Sequence, residues 1–278
     1  MGENINWQEV YQLAESWIRE AGRIIKETIE SPIHVETKSS PDDLVTDKDR
    51  EIERFLTEKI REQFPDHHIV SEEGYGDRVN ALSGVLWLID PIDGTMNFVH
   101  QKRNFAVSIG VYENGVGRVG LILDVMTGDL YHVVKGQGAF FNEHRLPQLH
   151  AGELEKAVFG INATWINANR RVDPEILRPI VRKTRGTRSY GSAALEMAYV
   201  ACGWLDAYFT MRLSPWDYGA GLILIEEVGG VFSHADGRPL DLLKGGSVLV
   251  GKPGVHKAIV EMIQAGLANG KYFREELE

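Results

Sequence analysis

The sequence predicts a layered α/β protein whose two halves share one interface. Amphipathic helices and a run of antiparallel strands fill the part before about residue 150, and strands alternate with helices after it. No repeat, low-complexity run or Pro/Gly-rich linker divides the chain. We therefore expect one unit over 1–278, with halves of about 1–148 and 149–278. Because ligands commonly bind in the crevice between such halves, we expect the functional site there.

The first half begins with two amphipathic helices. Apolar residues three and four positions apart predict one helix over about 6–29 and a second that Pro65 closes. Alternating residues over 33–37 and 68–71 predict two short strands. An antiparallel meander and one more hairpin follow, because Asn-Gly, Thr-Gly and Gly-rich pairs separate β-rich runs at 105–112, 118–124, 129–134 and 139–141.

The second half alternates strands with helices. Its first strand is predicted at 158–161, followed by a polar loop over 162–172. The further predicted helices cover 173–184, 192–203, 216–228 and 253–268, and the further predicted strands cover 186–189, 206–210, 230–233 and 247–250.

The stretch Val85–Thr95 connects a buried strand to a turn rich in polar groups. Five apolar residues precede Asp90, and Pro91 lacks the backbone N–H of a central ladder, so we expect the strand to stop there. Asp90, Asp93 and the Thr95 hydroxyl then lie close together on one turn, as oxygen ligands for a hard cation would. Asp, Pro and Gly are also ordinary turn residues, so this stretch alone does not decide between the two interpretations.

Composition excludes several classes of protein. The chain has 278 residues, 43% of them hydrophobic, and a net charge of −10, which argues against a nucleic-acid partner. No apolar run is long enough to span a membrane, and the N-terminal residues do not resemble an export signal. The lone Cys202 permits no internal disulfide and no cysteine-based zinc site. We expect a cytoplasmic protein with no nucleic-acid or membrane partner.

Acidic residues recur where predicted elements begin or end. Each has a structural interpretation as well as a functional one: Asp47, Asp49 and Asp217 open helices and would cap them. Glu72 ends a strand, where a carboxylate is often simply solvated. Asp90 and Asp217 lie beside Trp, Ile and Leu, where carboxylates are uncommon unless they are paired or bound to a metal. That environment favours function for these two.

Together these motifs resemble the inositol monophosphatase family of Mg²⁺-dependent, lithium-sensitive phosphatases. The resemblance implies a five-layer αβαβα sandwich of the sugar phosphatase type, with the metals at the interface between the layers, and a homodimer. It depends on segments that follow the family's order, namely Asp43-Leu44-Val45-Thr46-x-x-Asp49, Ser71-Glu72-Glu73, Asp90-Pro91-Ile92-Asp93-Gly94-Thr95 with Asn97-Phe98, Arg188–Ala194, and Trp216-Asp217 followed by Gly219-Ala220-Gly221.

The resemblance also implies a role for each matched residue. Two or three Mg²⁺ ions would bind, the first to Glu72, Asp90 and the carbonyl of Ile92, the second to Asp90, Asp93 and Asp217. Asp49 and Thr95 would orient and deprotonate the attacking water with support from Glu72, and Asp47 is left as a helix cap. Paired hard cations can activate water and stabilise an in-line displacement at phosphate, and oxygen ligands suit them.

Substrate contacts are implied on both sides of the interface. The backbone N–H groups of Gly94 and Thr95 would receive phosphate oxygens, as helix N-termini do. In the family, the turn at Gly191, Ser192 and Ala193 contacts the alcohol, which Asp93 and Asp217 also face. Ser192 is equally well explained as the N-cap of the following helix, and one turn can serve both purposes.

Two positions bear on the choice of substrate. Thr210 stands where animal inositol monophosphatases have a Glu that binds inositol hydroxyls, which weakens the case for inositol phosphate and leaves the hydrolysis chemistry unaffected. Arg170 and Arg171 could recognise a second phosphate, although a solvated basic pair on an acidic surface is at least as good an explanation.

Three hypotheses of function follow. The first is hydrolysis of a small phosphate monoester, inositol 1-phosphate foremost. The second keeps the chemistry but moves it to fructose-1,6-bisphosphate, NADP or 3′-phosphoadenosine 5′-phosphate. The third is a non-catalytic regulatory protein that binds metal or phosphate on the same scaffold. Replacement of an implied catalytic or ligand side chain would favour the third hypothesis, and none is replaced among Asp49, Glu72, Asp90, Asp93, Thr95 and Asp217.

Overall fold

Helices and β-sheets alternate in five layers in the computed structural model, which describes residues 5–30, 34–37 and 44–275. Each element is stabilised mainly by the apolar face that it buries against the next layer. The helices in the described part are α1 (Trp7–Thr28), α2 (Asp47–Gln63), α3 (Thr95–Gln101), α4 (Ala163–Ile166), α5 (Pro174–Lys183), α6 (Ala193–Ala201), α7 (Pro215–Glu227) and α8 (Pro253–Ala268), with a 3-10 turn at Leu154–Lys156.

The strands form one small ribbon and two larger sheets. A two-stranded ribbon joins β1 (Val35–Thr37) to β2 (Leu44–Thr46). The seven-stranded sheet follows chain order through β3 (His68–Ser71), β4 (Val85–Asp93), β5 (Ala106–Glu113), β6 (Val116–Asp124), β7 (Leu130–Val134), β8 (Gly138–Phe141) and β9 (His144–Arg145). The five-stranded sheet has the order β11 (Gly186–Arg188), β10 (Val158–Ile161), β12 (Ala207–Leu213), β14 (Gly246–Gly251) and β13 (Val231–Ser233).

The seven-stranded sheet contributes side chains to two separate apolar cores. Along β4, Trp87 and Ile89 pack against α1 and α2, while Leu86 and Leu88 face the opposite side. This alternation follows from the two-residue period of a strand. β3 is parallel to β4, and the pairs from β4 onward are antiparallel, so the predicted meander is confirmed.

The middle layer consists of α6 and α7, which lie between the two sheets. Here α7 approaches β5 unusually closely, because a Cβ atom built on Gly110 would lie 2.7 Å from the backbone carbon of Gly219. The Tyr112 hydroxyl donates a hydrogen bond to the Gly219 carbonyl at 2.6 Å. Two glycines thus bring helix backbone and sheet backbone into direct contact.

The outermost layer covers the far side of the five-stranded sheet. Phe209 and Leu249 on the sheet pack against Ile180 of α5 and Ile259 of α8. The order of layers is therefore α1/α2, seven-stranded sheet, α6/α7, five-stranded sheet and α5/α8. The αβαβα sandwich that the resemblance implies is confirmed.

Two predictions of local structure are wrong. The strand does not stop at Pro91, since β4 continues to Asp93 through a bulge opposite β5, where Asp90 pairs with Ser108 and Asp93 with Ala106. The extra residue of a bulge is left out of the ladder, so a proline can be accommodated there. The segment 162–172 is not wholly a loop, because α4 forms within it and Asn162 caps that helix.

Element bounds otherwise agree with the predictions to within a few residues. Asp43, the first residue of the family-like motif, lies outside the described residues, as does Ile33 of the first predicted strand. In the part of the chain that the structure describes, no helix is long and apolar enough to cross a membrane.

Candidate active site

The β4 bulge brings two carboxylates to the carboxyl end of a buried strand. Asp90 is 2% exposed and Asp93 is 6% exposed. One carboxylate oxygen of Asp90 accepts a hydrogen bond from the Ile92 N–H at 3.0 Å. Because the bulge adds one residue between the paired positions, it turns the backbone locally and determines where both acids point.

Asp93 connects the seven-stranded sheet to the start of α6. Its carboxylate accepts hydrogen bonds from the Ser192 hydroxyl, from the Ala193 N–H at 3.2 Å and from the Ala194 N–H at 2.9 Å. Ser192 is also the N-cap of α6, where its hydroxyl accepts from the Leu195 N–H at 3.3 Å. Ser192 therefore caps the helix, as one interpretation of the sequence predicted, and also contacts Asp93.

Asp49 lies in a capping box at the start of α2. Its Oδ2 accepts from the Thr46 N–H at 2.9 Å and from the Thr46 hydroxyl, and its Oδ1 accepts from the Thr95 hydroxyl at 3.3 Å. The Thr95 hydroxyl also lies 3.1 Å from the Ile92 carbonyl. The prediction that Asp47 caps this helix is wrong, because Thr46 is the N-cap and Asp47 is the exposed first helical residue. The Thr46 hydroxyl can reach the orphan N–H groups that a cap must satisfy.

The end of β3 brings Glu72 and Glu73 beside Asp49. One ligand oxygen from each of these three residues lies within 4.8 Å of the other two, a spacing that a metal ion could bridge. Buried Glu53 of α2 holds the loop that follows β3. It accepts from the Ser71 hydroxyl at 2.7 Å, the Glu73 N–H at 2.5 Å and the Tyr75 N–H at 2.8 Å.

Asp217 reaches the same place from the second half of the chain. It is the third residue of α7, and its Oδ2 accepts from the Ser214 N–H at 2.8 Å, which completes a capping box. Its carboxylate also lies close enough to Glu72 and Asp93 for their charges to act on it. The structural role predicted for Asp217 is thus present together with its closeness to the other acids. We call Asp49, Glu72, Asp90, Asp93 and Asp217 the carboxylate cluster.

Burial raises the pKa values of the four aspartates in the carboxylate cluster, and repulsion by neighbouring carboxylates adds to the shift at Asp90 and Asp217. Burial, followed by the charge of Glu72, raises the pKa of both Asp90 and Asp217 well above the usual range. Burial raises the pKa of Asp49 and of Asp93 to about 6, although hydrogen bonds oppose the shift. Buried like charges are costly unless a cation compensates them. An all-oxygen donor set with this excess of negative charge suits a hard divalent cation such as Mg²⁺.

Comparison with known proteins agrees with this geometry. A sequence profile of the inositol monophosphatase family matches residues 6–267. The chain belongs to the inositol monophosphatase family. Membership confirms the family that the motifs resemble and the predicted enzyme class, the phosphoric monoester hydrolases.

Individual members of the inositol monophosphatase family support the same assignment. The inositol-1-monophosphatase of Bacillus subtilis is 54% identical over 256 residues, which cover 92% of this chain and 97% of the relative. A crystal structure of inositol monophosphate bound to SaIMPase-II has 38% identity and a TM-score of 0.85, and the match covers 94% of this chain and 96% of that one. An IMPase/NADP phosphatase complexed with Mg²⁺ and phosphate has 26% identity and a TM-score of 0.86, covering 97% and 99%.

A cavity of about 470 Å³ opens beside the carboxylate cluster of this inositol monophosphatase family member. It is lined by Asp93 and by residues on which substrate choice was predicted to depend, Thr210 and Arg171. Exposed Arg170 is not among its lining residues. The turn at Gly191, Ser192 and Ala193 also borders the cavity, because Gly191 and Ala193 line it and Ser192 contacts Asp93.

Glycine is required at Gly94, between the carboxylate cluster and the turn at 191–193. Gly94 has φ +92°, and a Cβ atom there would lie 3.1 Å from the Gly191 carbonyl oxygen. A side chain at this position would therefore be strained and also crowded against the turn. Gly94 and Gly191, which belong to different halves of the predicted unit, are consequently in close contact.

Sequence reasoning missed several residues around the carboxylate cluster. Glu53 is one helical turn beyond Asp49 and on the same side of α2, a spacing that could have identified it as the second acid of that face. Glu196 accepts from the Tyr190 N–H at 2.8 Å and the Gly191 N–H at 3.2 Å, so it holds the turn at 191–193 in place. Burial raises the pKa of Glu196 to about 7. Arg212 lines the cavity, and no motif indicated it.

Proposed function

We propose that the protein hydrolyses a small phosphate monoester, inositol 1-phosphate foremost, to the alcohol and inorganic phosphate with water that Mg²⁺ activates. The observation that carries this proposal is the convergence of carboxylates from α2, the loop after β3, β4 and α7 beside a cavity that Asp93 lines, where the acids repel one another. Burying several carboxylates together is costly unless a cation compensates their charge. A bound cation would also attract the phosphate group, which the carboxylates alone would repel.

The metal ligands in this proposal follow the family pattern. Glu72, Asp90 and the Ile92 carbonyl would hold one ion, and Asp90, Asp93 and Asp217 would hold another, with two or three ions per active site. Bound Mg²⁺ lowers the pKa of a coordinated water and offsets the charge of the phosphate. Hydrogen bonds from Ile92, Ala194 and Ser214 already orient three of these carboxylates, so little reorganisation is needed on binding.

Thr95 and Asp49 form the proton path in this proposal. The Thr95 hydroxyl is within reach of Asp49 Oδ1, and Thr46 occupies the other oxygen of that carboxylate. Thr95 therefore accepts a proton from the attacking water as it passes its own proton to Asp49. Burial raises the pKa of Asp49 to about 6, which suits a proton acceptor near neutral pH, and Glu72 would support the water.

Substrate binding in this proposal uses both halves of the chain, about 1–148 and 149–278, which act as one unit with the active site between them. The N–H groups of Gly94 and Thr95 bind phosphate oxygens, and the turn at Gly191, Ser192 and Ala193 faces the alcohol together with Asp93 and Asp217. The contacts between Asp93 and the start of α6 support this arrangement, because they bind the turn to the carboxylate cluster. We further propose a cytoplasmic homodimer that lithium inhibits.

A phosphate-release assay tests the proposal. Purified protein is supplied with inositol 1-phosphate, other monoesters and bisphosphates, with Mg²⁺ alone, with Mg²⁺ and Li⁺, and with excess chelator. We expect Mg²⁺-dependent release that Li⁺ reduces and chelator abolishes, since the carboxylate cluster would then lack its cations. Full turnover in excess chelator would contradict the metal-dependent mechanism.

A further inference from the structure

One buried hydroxyl group beside the carboxylate cluster has no partner. Ser108 of β5 is 0% exposed, and its Oγ forms no hydrogen bond. Within 5–30, 34–37 and 44–275, the only other buried side-chain polar atom without a partner is Oε2 of Glu196, and the other oxygen of that carboxylate accepts two backbone N–H groups. Buried polar groups are nearly always hydrogen-bonded, and an unpaired one is costly. The Ser108 hydroxyl therefore requires an explanation.

The strand register places the Ser108 side chain beside that of Asp90. The two residues pair directly across β4 and β5. Side chains of directly paired residues lie on the same face of a sheet, with their Cβ atoms about 4.5–5.5 Å apart. This is the face that packs against α6 and α7, because Ala106 and Tyr112, at even positions of β5 like Ser108, belong to that core. At this separation, side-chain rotation can bring the hydroxyl within hydrogen-bond distance of the Asp90 carboxylate.

Asp90 is the one acceptor among the side chains that the register places around Ser108 on this face. On its other side, Ser108 pairs with Ile122 of β6. The adjacent positions on the same face of β4 and β5 carry no polar side chain, namely Leu88, Ala106 and Gly110. Helix α7 covers this face, since a Cβ atom on Gly110 would lie 2.7 Å from the backbone carbon of Gly219. Asp90 is therefore the partner that the surroundings of Ser108 offer.

We propose that Ser108 is a positioning residue for the metal site, whose hydroxyl donates a hydrogen bond to the Asp90 carboxylate when that carboxylate holds Mg²⁺. This inference rests on the proposed function, in which Asp90 is the ligand that both ions share. Ser108 belongs to none of the motifs from which the site was predicted. It would contact neither the substrate nor an ion, and would act through Asp90.

The hydrogen bonds of neighbouring ligands show why Asp90 needs a further donor. Asp90 accepts from the Ile92 N–H at 3.0 Å, whereas Asp93 accepts from the Ser192 hydroxyl and from two backbone N–H groups. A carboxylate shared by two cations must present both oxygens in fixed directions, and hydrogen bonds from surrounding groups orient such ligands. Ser108 would supply that donor from the sheet itself. Metal binding would then stabilise a hydroxyl that otherwise lacks a partner.

A purely structural explanation of Ser108 makes a different prediction. Because α7 approaches the sheet closely here, a serine would be needed only for its small side chain. Alanine meets that requirement and removes the hydroxyl alone, so Ser108→Ala separates the two explanations. If the hydroxyl orients Asp90, the variant should bind Mg²⁺ about tenfold more weakly than the wild type. Its Tm in excess chelator should equal or exceed that of the wild type, since removal of an unpaired buried hydroxyl removes its cost.

The experiment measures metal binding to the full chain without substrate. Mg²⁺ binding is followed by titration calorimetry, and binding of Mn²⁺, which suits the same oxygen ligands, by electron paramagnetic resonance. The matched control is Ser247→Ala, which removes a buried hydroxyl from β14 that bonds to the Ala235 N–H and the Glu275 carboxylate. It should lower Tm and leave the affinity for both ions unchanged. In a phosphate-release assay, Ser108→Ala should need about tenfold more Mg²⁺ for half-maximal activity, while kcat at saturating Mg²⁺ changes less.

The outcomes separate this proposal from the proposed function. Wild-type affinity for both ions in Ser108→Ala would overturn the role of Ser108, and a fall in the Tm of that variant in excess chelator would show a structural role and overturn it as well. If wild-type protein binds the ions but hydrolyses none of the phosphate esters supplied, the proposed function fails, and weaker binding by Ser108→Ala still supports the role of Ser108. Wild-type protein that binds neither ion would overturn both.

Discussion

The two ends of the active-site cavity differ in how firmly their side chains are held. At the inner end, Asp49, Asp90 and Asp93 are buried, and each accepts at least one hydrogen bond from a backbone N–H group. At the outer end, Arg212 is exposed, and the guanidinium of Arg171 has a single hydrogen-bond partner in the described chain, the Glu275 backbone carbonyl. The side chains at the inner end are thus fixed in position by hydrogen bonds, while the arginine side chains at the outer end are free to adjust to a ligand.

This difference assigns different tasks to the two ends. Chemistry at phosphorus needs charges fixed in position before the substrate arrives, because misplacement of about 1 Å can cost about a hundredfold in rate. Recognition of the rest of the substrate can use longer and more mobile side chains. Substitutions at the inner end should therefore affect every substrate alike, and substitutions at the outer end should change which substrate is preferred.

The largest effect is expected from Asp93→Asn, at the inner end. Removal of one negative charge from the carboxylate cluster weakens metal binding. Without the bound cation, the remaining carboxylates repel the phosphate group of the substrate. We expect turnover to fall at least about a thousandfold, since metal stabilisation is worth several kcal/mol of transition-state energy. The measurement is kcat with each substrate at saturating Mg²⁺.

The control for that prediction is Asp47→Asn, which removes an exposed carboxylate two residues from Asp49. It should retain nearly wild-type turnover. Circular dichroism of Asp93→Asn should be unchanged, because asparagine has nearly the same shape and its amide oxygen can still accept one of the hydrogen bonds from the start of α6. Undiminished activity in Asp93→Asn would show that the Asp93 carboxylate is not needed for catalysis.

A smaller effect should follow from Glu53→Gln, which leaves the carboxylate cluster intact and alters only its support. Glutamine cannot accept all three hydrogen bonds that Glu53 receives from Ser71, Glu73 and Tyr75. Loss of such support typically weakens metal binding about 10–100-fold. The Mg²⁺ concentration for half-maximal activity should rise accordingly, while kcat at saturating Mg²⁺ changes less.

The matched control for Glu53→Gln is Glu58→Gln, an exposed position on the same helix. Its Mg²⁺ dependence should equal that of the wild type. If Glu53→Gln lowers thermal stability but leaves the Mg²⁺ concentration for half-maximal activity unchanged, Glu53 stabilises the fold and does not affect metal binding.

A pH effect should also be confined to the inner end. Folding raises the pKa of Asp49 and Asp93 to about 6, so the metal-free folded protein binds more protons than the unfolded chain between about pH 4 and 6. Over that window these two groups make the metal-free protein less stable as pH rises. Mg²⁺ competes with those protons and compensates the ionised acids. The rise in Tm that Mg²⁺ produces should therefore be larger at pH 7.5 than at pH 5, and an equal rise at both values would contradict this explanation.

The smallest effect is expected from Thr210→Glu, at the outer end. A carboxylate beside the alcohol can accept inositol hydroxyls, so KM for inositol 1-phosphate should fall up to about tenfold. Other monoesters should change less, and Thr210→Gln should show little of the gain, because it supplies a similar side chain without the charge. An equal change for all substrates would exclude position 210 from substrate choice.

Sequence reasoning was strongest where a pattern is local. The period of the apolar residues predicted the long helices, and the order of the acidic motifs indicated the family, because spacing along the chain alone carries both signals. It failed at Pro91, where a bulge lets the strand continue, and at Asp47, where the neighbouring Thr46 takes the cap. Both errors concern local backbone geometry, namely whether a bulge forms and which of two adjacent residues caps the helix. That geometry is determined by the folded structure and cannot be read from the residue types alone.

Long-range features were not predictable in the same way. Nothing in the sequence indicates that Arg171 and Arg212 face one cavity, since they lie on different elements whose distance depends on the whole five-stranded sheet. The spacing from Asp49 places Glu53 on the same face of α2, but its hydrogen bonds to the loop after β3 could not be predicted from it. The roles of the carboxylate cluster as ligands and base remain predictions, which the variants above test.

The glycine contact between Gly110 and Gly219 has a consequence for how this active site can evolve. Asp217 precedes that contact by two residues on α7. Because the helix backbone rests directly on the sheet backbone there, no side chain between them could adjust to a change in spacing, and the position of the Asp217 carboxylate depends on the sheet. A single methyl group at Gly110 would push α7 away from the sheet and displace Asp217, a proposed metal ligand that belongs to another layer. Substitutions at residues such as Thr210 can therefore change which substrates are accepted, while Gly110 and Gly219 tolerate almost no substitution.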